Sequence, residues 1–173
     1  MAYLSPVTPG LDLTYTYSPV LPQGNVGVTE PSPGTLWDFL NKEQDFQIFR
    51  HIVVTARMEG LFNDPMGDFT LFLPSDTELL RSYSMNTFKN IDQSTATGIV
   101  NFSTLLQKVG IASIQNSSCL KMNTRLRGQD LYLKTTAEGT FINGNNRILR
   151  PDIETNNATV HVTSDLCKPV LDY

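Results

Sequence analysis

The stretch FTLFLPSDTELL, residues 69 to 80, constrains the fold more than any other. Phe69, Leu71 and Leu73 fall on one face of an extended segment, and Thr70 and Phe72 on the other, so apolar side chains line both faces. Such a strand belongs inside a core, with a layer against each side. Pro74 has no N–H to give a ladder and ends it. Ser75 followed by Glu78 has the spacing of a capping box, which predicts a helix over residues 77–83, with Asp76 between stop and helix. Phe69, Leu71, Leu73, Pro74, Ser75 and Asp76 are therefore structural residues.

Helical spacing precedes this strand. Thr35 with Asp38 caps a short helix carrying Leu36, Trp37, Phe39 and Leu40. Phe46, Phe49, Ile52, Val53 and Ala56 then form the stripe of an amphipathic helix, which Gly60 is expected to close. Asp64-Pro65-Met66-Gly67 turns the chain into the strand. A further helix is predicted over 95–109, weakened by Gly98. From Ile111 onward, alternation replaces helical spacing, as at Leu131 with Leu133 and Val160 with Val162, and strands are expected. Asn143-Gly144 marks a hairpin between Phe141-Ile142 and Ile148-Leu149. Helices first and strands after make one α+β domain, residues 35–173.

Residues 1–34 read as an extended, Pro-rich arm, since Pro6, Pro9, Pro19, Pro22, Pro31 and Pro33 block helix. Within it Leu11, Leu13, Tyr15 and Tyr17 alternate with polar residues, the pattern of a half-buried strand. That strand either folds back onto its own domain or adds to the sheet edge of another subunit, and assembly through the arm is the reading taken.

At 173 residues the chain has room for one ordinary domain and an appendage. A net charge of −4 gives no basic footprint, so no nucleic-acid partner is expected. No apolar run approaches the ~20 residues that cross a bilayer, and no membrane insertion is expected. Neither a basic n-region nor an apolar h-region opens the chain, so export by the standard route is not expected unless this is a processed form. Cys119 and Cys167 are read as free structural thiols, one disulfide being the alternative. The sequons at Asn101, Asn116 and Asn157 decide nothing alone.

Catalysis needs convergent groups, and no nucleophile elbow, phosphate loop or metal-binding His pair occurs. His51 sits beside Ile52 on the predicted helix and is read as a structural residue rather than a base. His161 points opposite to Val160 and Val162, and a hydrogen-bonded structural role is expected; a triad of His161, Asp165 and a remote serine has no support in spacing. No enzyme activity, metal or cofactor is expected.

Residues 69–80 resemble the first signature box of the fasciclin (FAS1) domain, and Pro151 to Pro169, PDIETNNATVHVTSDLCKP, resemble its second, with TRLRGQDLYL and FINGNNRIL similar to the strand repeats between. The resemblance implies a compact FAS1-like fold over about residues 35–169 and aligns His161 with the histidine of the second box. Adhesive members carry a Pro-Asp-Ile motif, here Pro151, Asp152 and Ile153, implicated in binding integrin-class receptors; the alternative is a simple turn into the last strand. Where their Tyr-His motif would fall, this chain has Gln107 and Lys108. Fasciclin-like domains also occur in large DNA viruses. The function expected is a non-enzymatic structural component bound to other protein subunits, specifically a minor cement protein of an icosahedral capsid in a virion or intracellular assembly. The alternative is a secreted or surface adhesion module.

Overall fold

The computed structural model describes residues 34–117 and 119–168. Leu11, Leu13, Tyr15 and Tyr17 lie outside the described residues. The chain runs through α1 (Leu36–Lys42), a 3-10 turn (Gln44–Phe46), α2 (Gln47–Ala56), α3 (Glu59–Phe62), β1 (Phe69–Pro74), α4 (Asp76–Ser82), α5 (Met85–Lys89) and α6 (Gln93–Phe102). It continues through β2 (Thr104–Leu105), α7 (Ile111–Gln115), β3 (Leu120–Asn123), β4 (Asp130–Thr136), β5 (Gly139–Ile142), β6 (Asn146–Glu154) and β7 (Ala158–Thr163). The strands form one sheet in the order β2-β1-β7-β6-β5-β4-β3. Its two edges meet: Leu105 bridges Thr124, and the Arg125 N–H donates to the Thr104 carbonyl at 2.9 Å.

β1 is buried along its whole length, as its two apolar faces predict. Its neighbour β7 runs parallel to it, Phe69 opposite Ala158 through Pro74 opposite Thr163, so the two signature segments are adjacent strands. One face of the pair, Leu71, Leu73 and Val160, joins Phe49, Ile52, Val53, Leu79 and Val100 from the helices in a first core. The opposite face puts Phe72 into a second core with Phe102, Leu105, Leu131, Leu133 and Ile142. Both faces are thereby dry, which is why the strand tolerates so little polarity.

Local signals hold where the chain supplies its own caps. Thr35 and Asp38 form a reciprocal capping box on α1, and the Ser75 hydroxyl accepts from Glu78 N–H at 3.2 Å to open α4. The turn before β1 closes with Gly67 N–H donating to the Asp64 carbonyl, 3.0 Å. Asn143 (φ 52°) and Gly144 (φ 90°) sit in the left-handed region that the tight turn between β5 and β6 needs. Asp76 is buried and caps a neighbour: its carboxylate accepts from Ile48 N–H (2.8 Å) and Gln47 N–H (3.2 Å) at the start of α2, which has no cap of its own. Burial pushes that carboxyl up to about 6, against those two donors.

Three expectations are corrected. α2 ends at Arg57, which takes the left-handed conformation (φ 60°) itself, while Gly60 lies inside α3. The helix expected over 95–109 stops at Phe102, because Thr104 and Leu105 pair with Leu71 and Thr70 of β1 and so cannot stay helical. Residues after Ile111 begin with a helix, α7, whose first N–H is met by the distant Asp152 carboxylate at 2.9 Å. Cys119 is exposed, Cys167 is buried, and both are free thiols.

Asn157 ties four segments together. Its Oδ1 accepts from the Leu36 N–H (2.8 Å), an orphan donor of the first turn of α1, and its Nδ2 donates to the carbonyls of Phe62 (2.9 Å) and Asp64 (2.8 Å). Its amide is fully buried, which removes Asn157 from the glycan acceptors. Asn101 is half-buried, with Oδ1 accepting from Arg125, whereas Asn116 is exposed. Because Asn157→Ala leaves three backbone groups without their partner, it should lower the unfolding free energy by about 3 kcal/mol in urea titration; a loss under about 0.5 kcal/mol would contradict this role.

Candidate protein-interaction site

Pro151, Asp152 and Ile153 lie inside β6 rather than in a turn ahead of the last strand, because the register with β7 shifts between Arg150 and Ile153. The shift is a bulge, which breaks the alternation of side chains and turns backbone outward. Asp152 occupies its crest with φ 61°, a conformation that an Asp tolerates better than most residues. Pro151 and Asp152 are exposed, while Ile153 is half-buried against the first core.

The bulge is fixed from beneath by His161. The Asp152 N–H donates to His161 Nδ1 at 3.1 Å, so that nitrogen is an acceptor and Nε2 carries the proton; Nε2 donates to the Val109 carbonyl at 2.7 Å. The ring is fully buried and stacks on Phe72, with centroids 5.6 Å apart. Val109 ends the exposed stretch Leu106, Gln107 and Lys108, where the family's second adhesive motif would fall. Thr70 of β1 holds the same stretch, its hydroxyl donating to the Gln107 carbonyl (2.6 Å) and accepting from Val109 N–H (2.7 Å). Asp152 then closes the arrangement through Ile111. Two segments far apart in sequence are thus tied together through His161 and Asp152. Spacing alone did not reveal this; the one polar residue of β1, Thr70, was the available signal.

His161 has no spare nitrogen for chemistry. Asp165 is occupied elsewhere, accepting from Tyr83 OH at 2.9 Å and pairing with Lys168 at 3.2 Å. Among the described residues His161 and Asp165 are not joined in a triad. His51 is exposed and its Nε2 lies 3.0 Å from the Phe88 carbonyl. Among the described residues no group of His, Cys, Asp and Glu is placed to hold a metal ion, and no helix is long and apolar enough to cross a membrane.

Burial holds the His161 imidazole below its ordinary 6.5, outweighing the Val109 carbonyl and the charges of Asp152 and Glu154. Protonating Nδ1 would also set an N–H against the Asp152 N–H. The unfolded chain therefore binds this proton more readily, and the stability contributed by neutral His161 is complete above about pH 6.5 and falls as pH drops below it. Asp76 acts with the opposite sign, so the test is a difference. The unfolding free energy of wild type minus that of His161→Gln should shrink between about pH 7 and about pH 5, and a constant difference would contradict the assignment.

A model of the Fasciclin domain matches residues 44–169. Among solved structures, the FAS1 domain pair from the insect cell adhesion molecule fasciclin I superposes with a TM-score of 0.67 at 16% identity, over 82% of this chain and 52% of that one. The chain spans about half the length of that domain pair, and the likeness is one of fold. No curated protein matches. With both signature segments paired in one sheet and most of the described residues inside the matched range, the chain belongs to the fasciclin (FAS1) domain family.

Proposed function

We propose that this chain is a non-enzymatic protein–protein interaction module of the adhesion type, presented outside the cell or on its surface. Its contact surface is the bulge at Pro151 to Ile153 together with Leu106 to Lys108. The observation that carries the reading is the pinning of Asp152 and Val109 to one buried imidazole, which presents both segments without an ordering cost on binding. Exposed Pro151 and Leu106 supply apolar contact, and Asp152 and Lys108 flank them with both charges. Gln107 and Lys108 stand where the adhesive members carry Tyr-His, so receptor preference follows these residues rather than the family pattern.

The solved domain pair is described as part of a cell adhesion molecule, and the exposure of Asn116, the first residue of a sequon, suits an extracellular setting. A place in a capsid draws no support from family or fold. The alternation of Leu11, Leu13, Tyr15 and Tyr17 remains a proposed second contact, made by strand addition.

Integrin-bearing cells plated on the immobilised full chain should attach above the level on an albumin-coated surface. Pro151→Glu and Gln107→Glu should each reduce attachment while moving the thermal midpoint by no more than about 2 °C, because both side chains are exposed. Attachment no better than to albumin, or unaffected by both changes, would overturn the proposal.

A further inference from the structure

Away from the bulge, α5, α6, the loop at Leu126 and residues 166–168 enclose a recess of about 660 Å³. That is the volume of a small-molecule site. Its floor is apolar and recessed: Phe88, Phe102 and Leu166 are buried, and Ile91, Ile99 and Leu126 are half-buried. Among the described residues no strongly exposed large hydrophobic side chain lines it, since Met66, Leu106 and the others lie elsewhere. A protein partner buries protruding apolar surface, whereas this surface is concave and its mouth is ringed by Thr87, Asn90, Asp92, Thr95 and Lys168.

Gly98 adds an independent observation. It lies inside α6, where glycine is the poorest helix former after proline. Its backbone is not in the left-handed region, and a Cβ built there meets nothing within 4 Å. Among the described residues neither backbone geometry nor packing requires a glycine at this position. Gly98 contributes only backbone to the lining of the recess.

The charges at the mouth are already matched. Lys168 pairs with Asp165 at 3.2 Å and lies 5.1 Å over the Tyr83 ring. The Asp92 carboxylate is taken up in capping α6, accepting from Thr95 N–H at 2.9 Å. A charged ligand would compete with these arrangements for Lys168 or Asp92, while a neutral one draws on neither.

We propose that this recess binds an uncharged, largely apolar small molecule, which enters between α6 and residues 166–168 and lies against Gly98. The site is separate from the adhesion surface and stands without it. The test is titration of the full chain with Nile red, an uncharged apolar dye that fluoresces when it leaves water. Wild type should bind it saturably at one site. Gly98→Ala should raise the melting temperature and keep binding, and Gly98→Leu should fold at least as stably as wild type yet bind at least about tenfold more weakly. No saturable binding by wild type, or equal affinity in Gly98→Leu, would overturn the proposal. So would a dye-silent recess whose Gly98→Leu variant alters sedimentation of the chain, because the groove would then hold protein. If Gly98→Leu fails to fold, competition of the dye by a second neutral apolar compound on wild type decides: additive fluorescence without displacement overturns a single shared site.

Discussion

The domain depends on the parallel pairing of β1 with β7. Parallel strands cannot be joined by a tight turn, and here the whole run from α4 to β6 serves as the crossover between them. Every element from α4 to β6 is therefore enclosed by one long-range contact. The pair is also the wall between two cores, with Leu71, Leu73 and Val160 on the helical side and Phe72 with His161 on the other. A single added charge on either face would be buried without a partner.

Polar side chains in this wall and next to it organise the irregular parts of the chain. Thr70 holds residues 107–109, His161 connects them to the β6 bulge, and Asn157 gathers the start of α1 and the end of α3. Each is buried, and each exchanges hydrogen bonds with backbone groups that no regular ladder satisfies. The proposed contact surface rests on the same contacts. The exposed bulge at Pro151 and Asp152 needs no support of its own because the imidazole beneath it is locked in one tautomer.

What could be read from the sequence was what the chain encodes locally. The doubly apolar β1, the Thr35 capping box, the α2 stripe and the Asn143-Gly144 turn each depend on neighbours within a few residues, and each is where the pattern placed it. The elements that escaped are governed at a distance. α7 is capped by Asp152, α2 by Asp76, and α6 is cut short by pairing of Thr104 and Leu105 with β1. The end of α2 escaped for another reason, since Arg57 accepts a backbone conformation usually left to glycine. Likewise, Pro151 to Ile153 stood out as a motif, but nothing in its spacing indicated that it meets residues 106–109. The recess beside Gly98 left only one trace, a glycine inside a helix.

Native-state hydrogen exchange tests the central role of the β1–β7 pair most directly. Amides of Leu71, Leu73, Val160 and Val162 should exchange only through global unfolding, while those of the β4–β5 hairpin open by smaller excursions. If the β1 and β7 amides instead exchange as fast as those of the hairpin, the pair does not hold the domain together and the account built on it fails.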